Sequence, residues 1–405
     1  MSKKLWGGRF TKKMDKEFFK FQKSIQYDHK LAKYDITHSL IHVIALGMMR
    51  DLTSDEKNKL LKVLKSIRDD IKTGNFKFDK RAEDIHTDIQ NKVEKKVGKL
   101  ALKLHTVRSR NDQIAFDEKS YCHEKGLIIE KLLNELLKSI NFLGNKYKKL
   151  KIVGYTHTQR AQKISFNEYL GAYYLMFERD KKRISNFWKN LSIHIGAGAL
   201  AGSPATKYYS KAIGKILKSK DFLITSSTNP VDDVSDRDFI IEFLSVLSIL
   251  QMHISRLAED FILFSTKEFS FMNLPEEFCT GSSLMPHKKN PDFLELMRGQ
   301  TGIIYGNLIA TLTMMKGLPL TYNRDMQLNK NPLFSSIEIM EDELKLLGRF
   351  MKKITLNKKS IDTALKDTCL SAVDEAYKLV REKGISFKEA HDIIGRSIKA
   401  REKYL

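Results

Sequence analysis

Apolar residues along this chain recur every three or four positions over long spans, the spacing of one helix face. The clearest run holds Ile240, Phe243, Leu247, Leu250, Ile254, Leu257, Phe261 and Phe264 without a slip, the repeat of a helical seam. At 1.5 Å per residue that run predicts a rod of roughly 36 Å. Ser235-Asp236-Arg237-Asp238 before it reads as a capping box with Asp in place of Glu. A seam of this length implies a bundle, either a long core helix inside one chain or a helix shared between subunits.

A second long helix is predicted to open at Ser165, capped by that hydroxyl with Glu168 three residues on. It carries Phe166, Tyr169, Leu170, Tyr173 and Phe177 on one face. A third should open near Asn290, which can cap, with Pro291 in the first turn and Asp292 facing the positive end of the dipole. Residues 281–289 then form a polar, glycine-led loop feeding a helix N-terminus. With seven prolines and few alternating valine or threonine runs, the chain reads as all-α with marginal β structure. The expected divisions are a helical N-terminal region at 1–105, a long-helix body at 106–355 and a small helical tail at 356–405, with helices around 372–382 and 388–399.

Composition narrows the function classes. With 405 residues, 42% of them hydrophobic, the chain is long and apolar enough for sizeable cores, which excludes intrinsic disorder. Its 71 Lys and Arg against 49 Asp and Glu leave a net charge of +22, but lysines are interspersed with acids, as in Asp15-Lys16-Glu17. That pattern fits a solvated lysine-rich surface, and no nucleic-acid partner is expected. Cys122, Cys279 and Cys369 lie far apart without a CxxC pair, so a reducing compartment fits best. The start, MSKKLWGGRF, has no apolar signal core, and the longest apolar stretch is interrupted by Glu242, His253, Arg256, Glu259 and Asp260. A cytoplasmic protein with no membrane partner is expected.

The richest chemistry lies in Gly281-Ser282-Ser283-Leu284-Met285-Pro286-His287-Lys288-Lys289-Asn290. It offers a hydroxyl, an ammonium six residues later and backbone N–H groups at a helix start, all suited to developing negative charge. This stretch resembles the signature loop of the fumarase/aspartase superfamily of lyases, G-S-S-x-M-P-x-K-x-N, at every fixed position. Thr156-His157-Thr158-Gln159 resembles the superfamily's T-H-x-Q segment. His105-Thr106-Val107-Arg108-Ser109-Arg110-Asn111-Asp112-Gln113 resembles the narrower H-T-G-R-S-R-N-D-Q segment of argininosuccinate lyases. Leu5-Trp6-Gly7-Gly8-Arg9-Phe10, Ala82-Glu83-Asp84-Ile85-His86, Ser235-Asp236-Arg237-Asp238 and Tyr322-Asn323-Arg324-Asp325-Met326-Gln327 read like that family too, so the similarity covers essentially the whole chain. Adenylosuccinate lyases and fumarases share the loop and the histidine segment; the Ser109 and Tyr322 segments argue against both.

The resemblance implies three helical domains around a central long-helix bundle, in a homotetramer whose active sites each draw on three subunits, with no cofactor and no metal. It also implies a small-molecule substrate, argininosuccinate, split to arginine and fumarate. A weakly acidic proton leaves the carbon beside a carboxylate, giving an aci-carboxylate dianion, and the C–N bond then breaks on the opposite face. By the same resemblance Ser282 is the base, and Lys288 and Asn290 steady the dianion. Glu295 orients His157, which is either the acid or the anchor of the other carboxylate. Ser109, Arg110, Asn111 and Thr156 take the fumarate half; Ser24, Asp28, Tyr322, Gln327 and Lys330 take the arginine half. His86 and Arg237 stand behind them.

Several positions depart from the family pattern. Val107 replaces a usual glycine, which strains the chain if that position needs a positive φ. His287 replaces a glutamine, Lys163 a proline and Gln90 a glutamate, and the C-terminal domain reads as shortened after His391-Asp392-Ile393-Ile394-Gly395. Two other motifs read as structural. Gly196-Ala197-Gly198-Ala199-Leu200-Ala201-Gly202 has no following Lys-Ser/Thr and no expected strand before it. Asp84, His86 and Asp88 do not share one helix face, as a metal would require.

Overall fold

The computed structural model describes residues 9–216 and 224–402; Leu5, Trp6, Gly7 and Gly8 of the first motif lie outside them. Helices dominate. The long ones are Arg110–Lys146, Phe166–Asn190, Asp238–Ser265, Asp292–Met315 and Lys330–Lys353. Strands occur among the described residues as three two-stranded pairs. The Phe166 helix is capped as its sequence predicts, with Ser165 N–H bonded to Glu168 and Glu168 N–H to the Ser165 hydroxyl.

Two starts differ from expectation. Ser235 ends a short helix, Pro230–Ser235, returning its hydroxyl to Val231 O, and the seam helix opens at Asp238 beside the Asp236 carboxylate. The acid-rich motif is thus a hinge between two helices. Asn290 does not cap. It pairs its backbone with Thr280 to close the loop, and Pro291 O accepts the first helical N–H bonds.

The eight seam residues are all buried within the single chain, so the periodicity records a core helix. This same helix, Asp238–Ser265, is the one described helix long and apolar enough to cross a membrane. An exposed apolar face lies on Asp292–Met315. Leu294, Met297 and Ile304 are buried there, but Leu296 (67% exposed), Ile303, Ile309 (61%) and Leu312 face outward.

Contacts divide the chain into two compact units. The first comprises Met1–Ile129, Arg183–Ser248 and Ile303–Glu338. Its core includes Ile41, Ala45, Phe116, Ile193, Ile195, Tyr209 and Ala212. Here strand Ile193–Ile195 runs parallel to strand Ile224–Ser226, with the glycine-rich segment and helix Thr206–Ile216 between them in the chain. A strand therefore does precede the glycines, against the sequence expectation. The Asp112 carboxylate accepts the Gly196 N–H at 3.1 Å, so the chain's own anion occupies the loop's first donor. A Cβ at Gly196, φ 105°, would lie 2.9 Å from the Tyr209 ring.

The second unit comprises Glu130–Lys182, Ile249–Gly302 and Ile339–Leu405. Phe278, Phe293 and Phe350 pack there with ring centroids 5.0 to 5.4 Å apart. An antiparallel hairpin, Lys151–Thr156 and Gln159–Ser165, stands in the same unit. The helices Ala372–Lys383 and Phe387–Glu402 pack on each other near the end of the chain.

Candidate active site

The predicted site residues fall into two groups, one in each unit. Ser282, Lys288, Asn290, Glu295, Thr156 and His157 belong to the second; Ser24, Asp28, Ser109, Arg110, Asn111, Tyr322, Gln327 and Lys330 belong to the first.

In the second unit the 281–289 loop is pinched at its base by Thr280 and Asn290, bonded both ways at 2.8 and 3.2 Å. The Thr280 hydroxyl also binds Asp292 in the helix's first turn. Asn290 Nδ2 donates inward to Gly281 O at 3.3 Å. Ser282 Oγ accepts the N–H groups of Met285 (3.0 Å) and Leu284 (3.3 Å). Two amide donors on one hydroxyl oxygen stabilise negative charge on it, which a serine acting as base requires. Lys289 is held by Leu274 O at 2.7 Å, whereas Lys288, exposed, makes no ion pair among the described residues.

His157 stands at the hairpin tip. Thr156 pairs with Gln159, so His157 and Thr158 form a two-residue turn, with φ of 53° and 60°. Positive φ at both central residues is what a type I′ hairpin turn needs, and neither residue is the glycine or asparagine that adopts it without strain. The imidazole is exposed. Within one chain no hydrogen bond among the described residues joins it to Glu295, which is also exposed.

In the first unit a short helix, Ile25–Asp28, buries Asp28 completely. Its carboxylate accepts the Ser24 hydroxyl at 2.5 Å and the Ile85 N–H at 3.1 Å, with Lys330 Nζ at 3.7 Å. Burial raises the Asp28 pKa against the pull of Lys330. Burial also works against the Lys330 charge, but Asp28, Glu118 and Tyr322 more than offset it, so the ammonium persists. Gln327 Nε2 donates to Gln22 O at 3.0 Å, and burial raises the hydroxyl pKa of half-buried Tyr322.

Ser109 caps the Arg110 helix, its hydroxyl accepting the Asn111 N–H. Arg110 pairs with Asp84, but its Nε has no hydrogen-bond partner, leaving a donor for an incoming carboxylate. Arg108 donates to Ser39 Oγ at 2.8 Å and also keeps Nε free. Val107 before them sits at φ 51°, the strained conformation that its sequence position warned of. Burial and the two arginines press the His105 pKa down to about 4.

Behind these residues lies a buried ionic layer that the sequence reading largely missed. Asp35, Asp117, Glu118 and Arg237 are all 1% exposed or less. Arg237 Nε lies 3.0 Å from Glu118 Oε2 without hydrogen-bond alignment. His86 Nδ1 is 3.0 Å from Asp35 and 3.6 Å from Asp117. Asp35, His86 and Asp117 form the one described cluster with the spacing a metal ion needs. Asp84 and Asp88 are taken by Arg110 and Lys92. One signal was available: Asp117-Glu118 interrupts the apolar face of a long helix, where charges survive only if paired.

Comparison with known proteins gives the family of the chain. A lyase family model matches residues 8–306. An argininosuccinate lyase of Carboxydothermus hydrogenoformans is 42% identical over 99% of this chain and 87% of its own length. One from Legionella pneumophila is 42% identical over 98% and 95%. The chain belongs to the argininosuccinate lyase family. Like the rest of that family it is an enzyme, a lyase acting on a small molecule. Among solved structures, the fumarate lyase:delta crystallin of Brucella melitensis bound to cobalt superposes with a TM-score of 0.80 at 17% identity, over 97% of this chain and 87% of the other. EDDS lyase in complex with formate gives 0.79 at 22%, over 98% and 78%. Both likenesses speak for the all-α fold alone.

Proposed function

We propose that this argininosuccinate lyase family member splits argininosuccinate into arginine and fumarate, as a cytoplasmic, cofactor-free homotetramer. The observation that carries the reading is the Ser282 hydroxyl with two backbone N–H donors on its oxygen. Ser282 Oγ takes the proton from the carbon beside a carboxylate. The electron pair left behind forms the aci-carboxylate, steadied by Lys288, Asn290 and the positive end of helix Asp292–Met315. Collapse of that dianion forms the fumarate double bond and breaks the C–N bond, and the departing guanidino nitrogen takes a proton. His157 serves as that acid or as the anchor of the second carboxylate, oriented by Glu295.

Arg110, Asn111, Ser109 and Thr156 hold the fumarate half. Asp28, Ser24, Lys330, Tyr322 and Gln327 hold the arginine half, whose amino group needs an anion and whose carboxylate needs a cation. Assembly is supported by the outward apolar face of helix Asp292–Met315, which in water calls for a covering partner. A reducing compartment is supported by three unpaired cysteines.

A substrate panel tests the reading. The full chain should release fumarate from argininosuccinate and not from adenylosuccinate or malate, and light scattering should give a tetramer. Turnover of another succinyl compound with argininosuccinate inert would overturn it.

A further inference from the structure

The hairpin tip that presents His157 is strained and poorly supported by its own side chains. Residues 156–160 are all exposed, and both turn residues hold positive φ. The strand register also slips between Val153 and Tyr155, a bulge that bends and twists the pair. Beside the hairpin tip lies an open polar cleft of about 1020 Å³. The strands pack on Lys358–Ala364 and Thr368–Ser371, and two side-chain contacts tie the end of the hairpin to the rest of the unit. The Tyr155 ring meets Phe269 with centroids 5.3 Å apart, and Arg160, paired opposite Tyr155, reaches Asp367 Oδ2 at 3.2 Å. Asp367 is itself fixed, because its other oxygen caps the 3₁₀ turn Thr368–Ser371 by accepting the Cys369 N–H at 3.0 Å.

On the reading that His157 takes part in the reaction, we propose that Arg160 and Asp367 are positioning residues, an ion pair across the cavity that aims the hairpin tip. Both side chains are partly exposed, so the pair contributes little to stability. Its geometric effect is larger, because misplacing a reacting group by about 1 Å costs as much as 10²-fold in rate. The role belongs to this pair and not to the basic lining in general, for Lys267 and Lys359 border the same cavity without forming an ion pair among the described residues.

The experiment measures kcat, KM and melting temperature for full-length Arg160→Gln, Asp367→Asn, the charge swap Arg160→Asp/Asp367→Arg, His157→Asn and, as control, Lys359→Gln. The single variants should lower kcat about tenfold, with KM within about twofold and melting almost unchanged. The swap should recover most of the loss, and Lys359→Gln should behave as wild type. Unchanged kcat in both single variants, or a swap no better than either, overturns the pair. So does a loss of kcat that only follows a fall in melting temperature; if Arg160→Gln does not fold, Asp367→Asn alone decides. His157→Asn separates the two levels. An inactive His157→Asn beside an active Arg160→Gln refutes the pair alone, whereas an active His157→Asn refutes the reading beneath it.

Discussion

Val107 shows how one residue records a conflict between local conformation and packing. At φ 51° its branched side chain pays a strain of about 1–3 kcal/mol, while its methyl groups pack against the core around Ile41 and Tyr209. Replacement by glycine removes the strain and the packing together, and the two nearly offset. Replacement by alanine loses the methyl groups and keeps a Cβ at positive φ. Denaturant titration should therefore rank Val107→Gly above Val107→Ala in stability, the reverse of the usual order, with Val107→Gly within about 1 kcal/mol of wild type. Asp28 is a different case, a buried carboxylate whose charge is opposed by burial and favoured by Lys330. Asp28→Ala strips a buried ammonium of its nearest anion and should cost roughly 3 kcal/mol or more, with weaker substrate binding in any active protein that remains. The sequence exposed the first feature, since a β-branched residue in a motif that usually carries glycine is visible as letters. It did not expose Asp35 or Asp117, because which buried acid meets which base depends on helices distant in the chain.

Among the elements, helix Lys330–Lys353 carries a buried acid, Glu343. No ion pair reaches it among the described residues, and burial, opposed by Gln251, pushes its pKa up to about 8. The folded value lies above the unfolded one, so the folded state holds a proton that the unfolded state releases. Stability from this group is complete below about pH 4.5 and is lost as pH rises toward 8. Glu343→Gln should flatten that slope, and its melting temperature should exceed wild type by more at pH 8 than at pH 5; equal differences at both would contradict the assignment. Helix starts show how far local signals carry. The Ser165 and Glu168 box was read correctly because its bonds lie within four residues. Ser235 and Asn290 were misplaced because each bonds outside the helix that its side chain seemed fit to cap, Ser235 with Val231 and Asn290 with Thr280. The strand before the glycines was missed because three residues, Ile193–Ile195, are too few for periodicity to register.

For the whole molecule, the all-α class and the long seam were legible because a 3.6-residue period accumulates over many turns. Which helix leaves an apolar face uncovered was not, because internal and external seams share one period. Exposure separates them: the Ile240 to Phe264 seam is buried, while Leu296, Ile303 and Ile309 face out. Ile303→Glu places a charge on that face and should leave the chain folded but dissociated by light scattering, with turnover lost if sites are shared between subunits. In the proposed reaction a proton leaves carbon to Ser282, activated by the N–H groups of Leu284 and Met285. Its most direct test is fumarate release from argininosuccinate by wild type and Ser282→Ala, each shown to be folded and assembled. Loss of the hydroxyl should lower kcat by about 10³-fold or more with substrate binding retained. A Ser282→Ala enzyme that turns over at near the wild-type rate would contradict it.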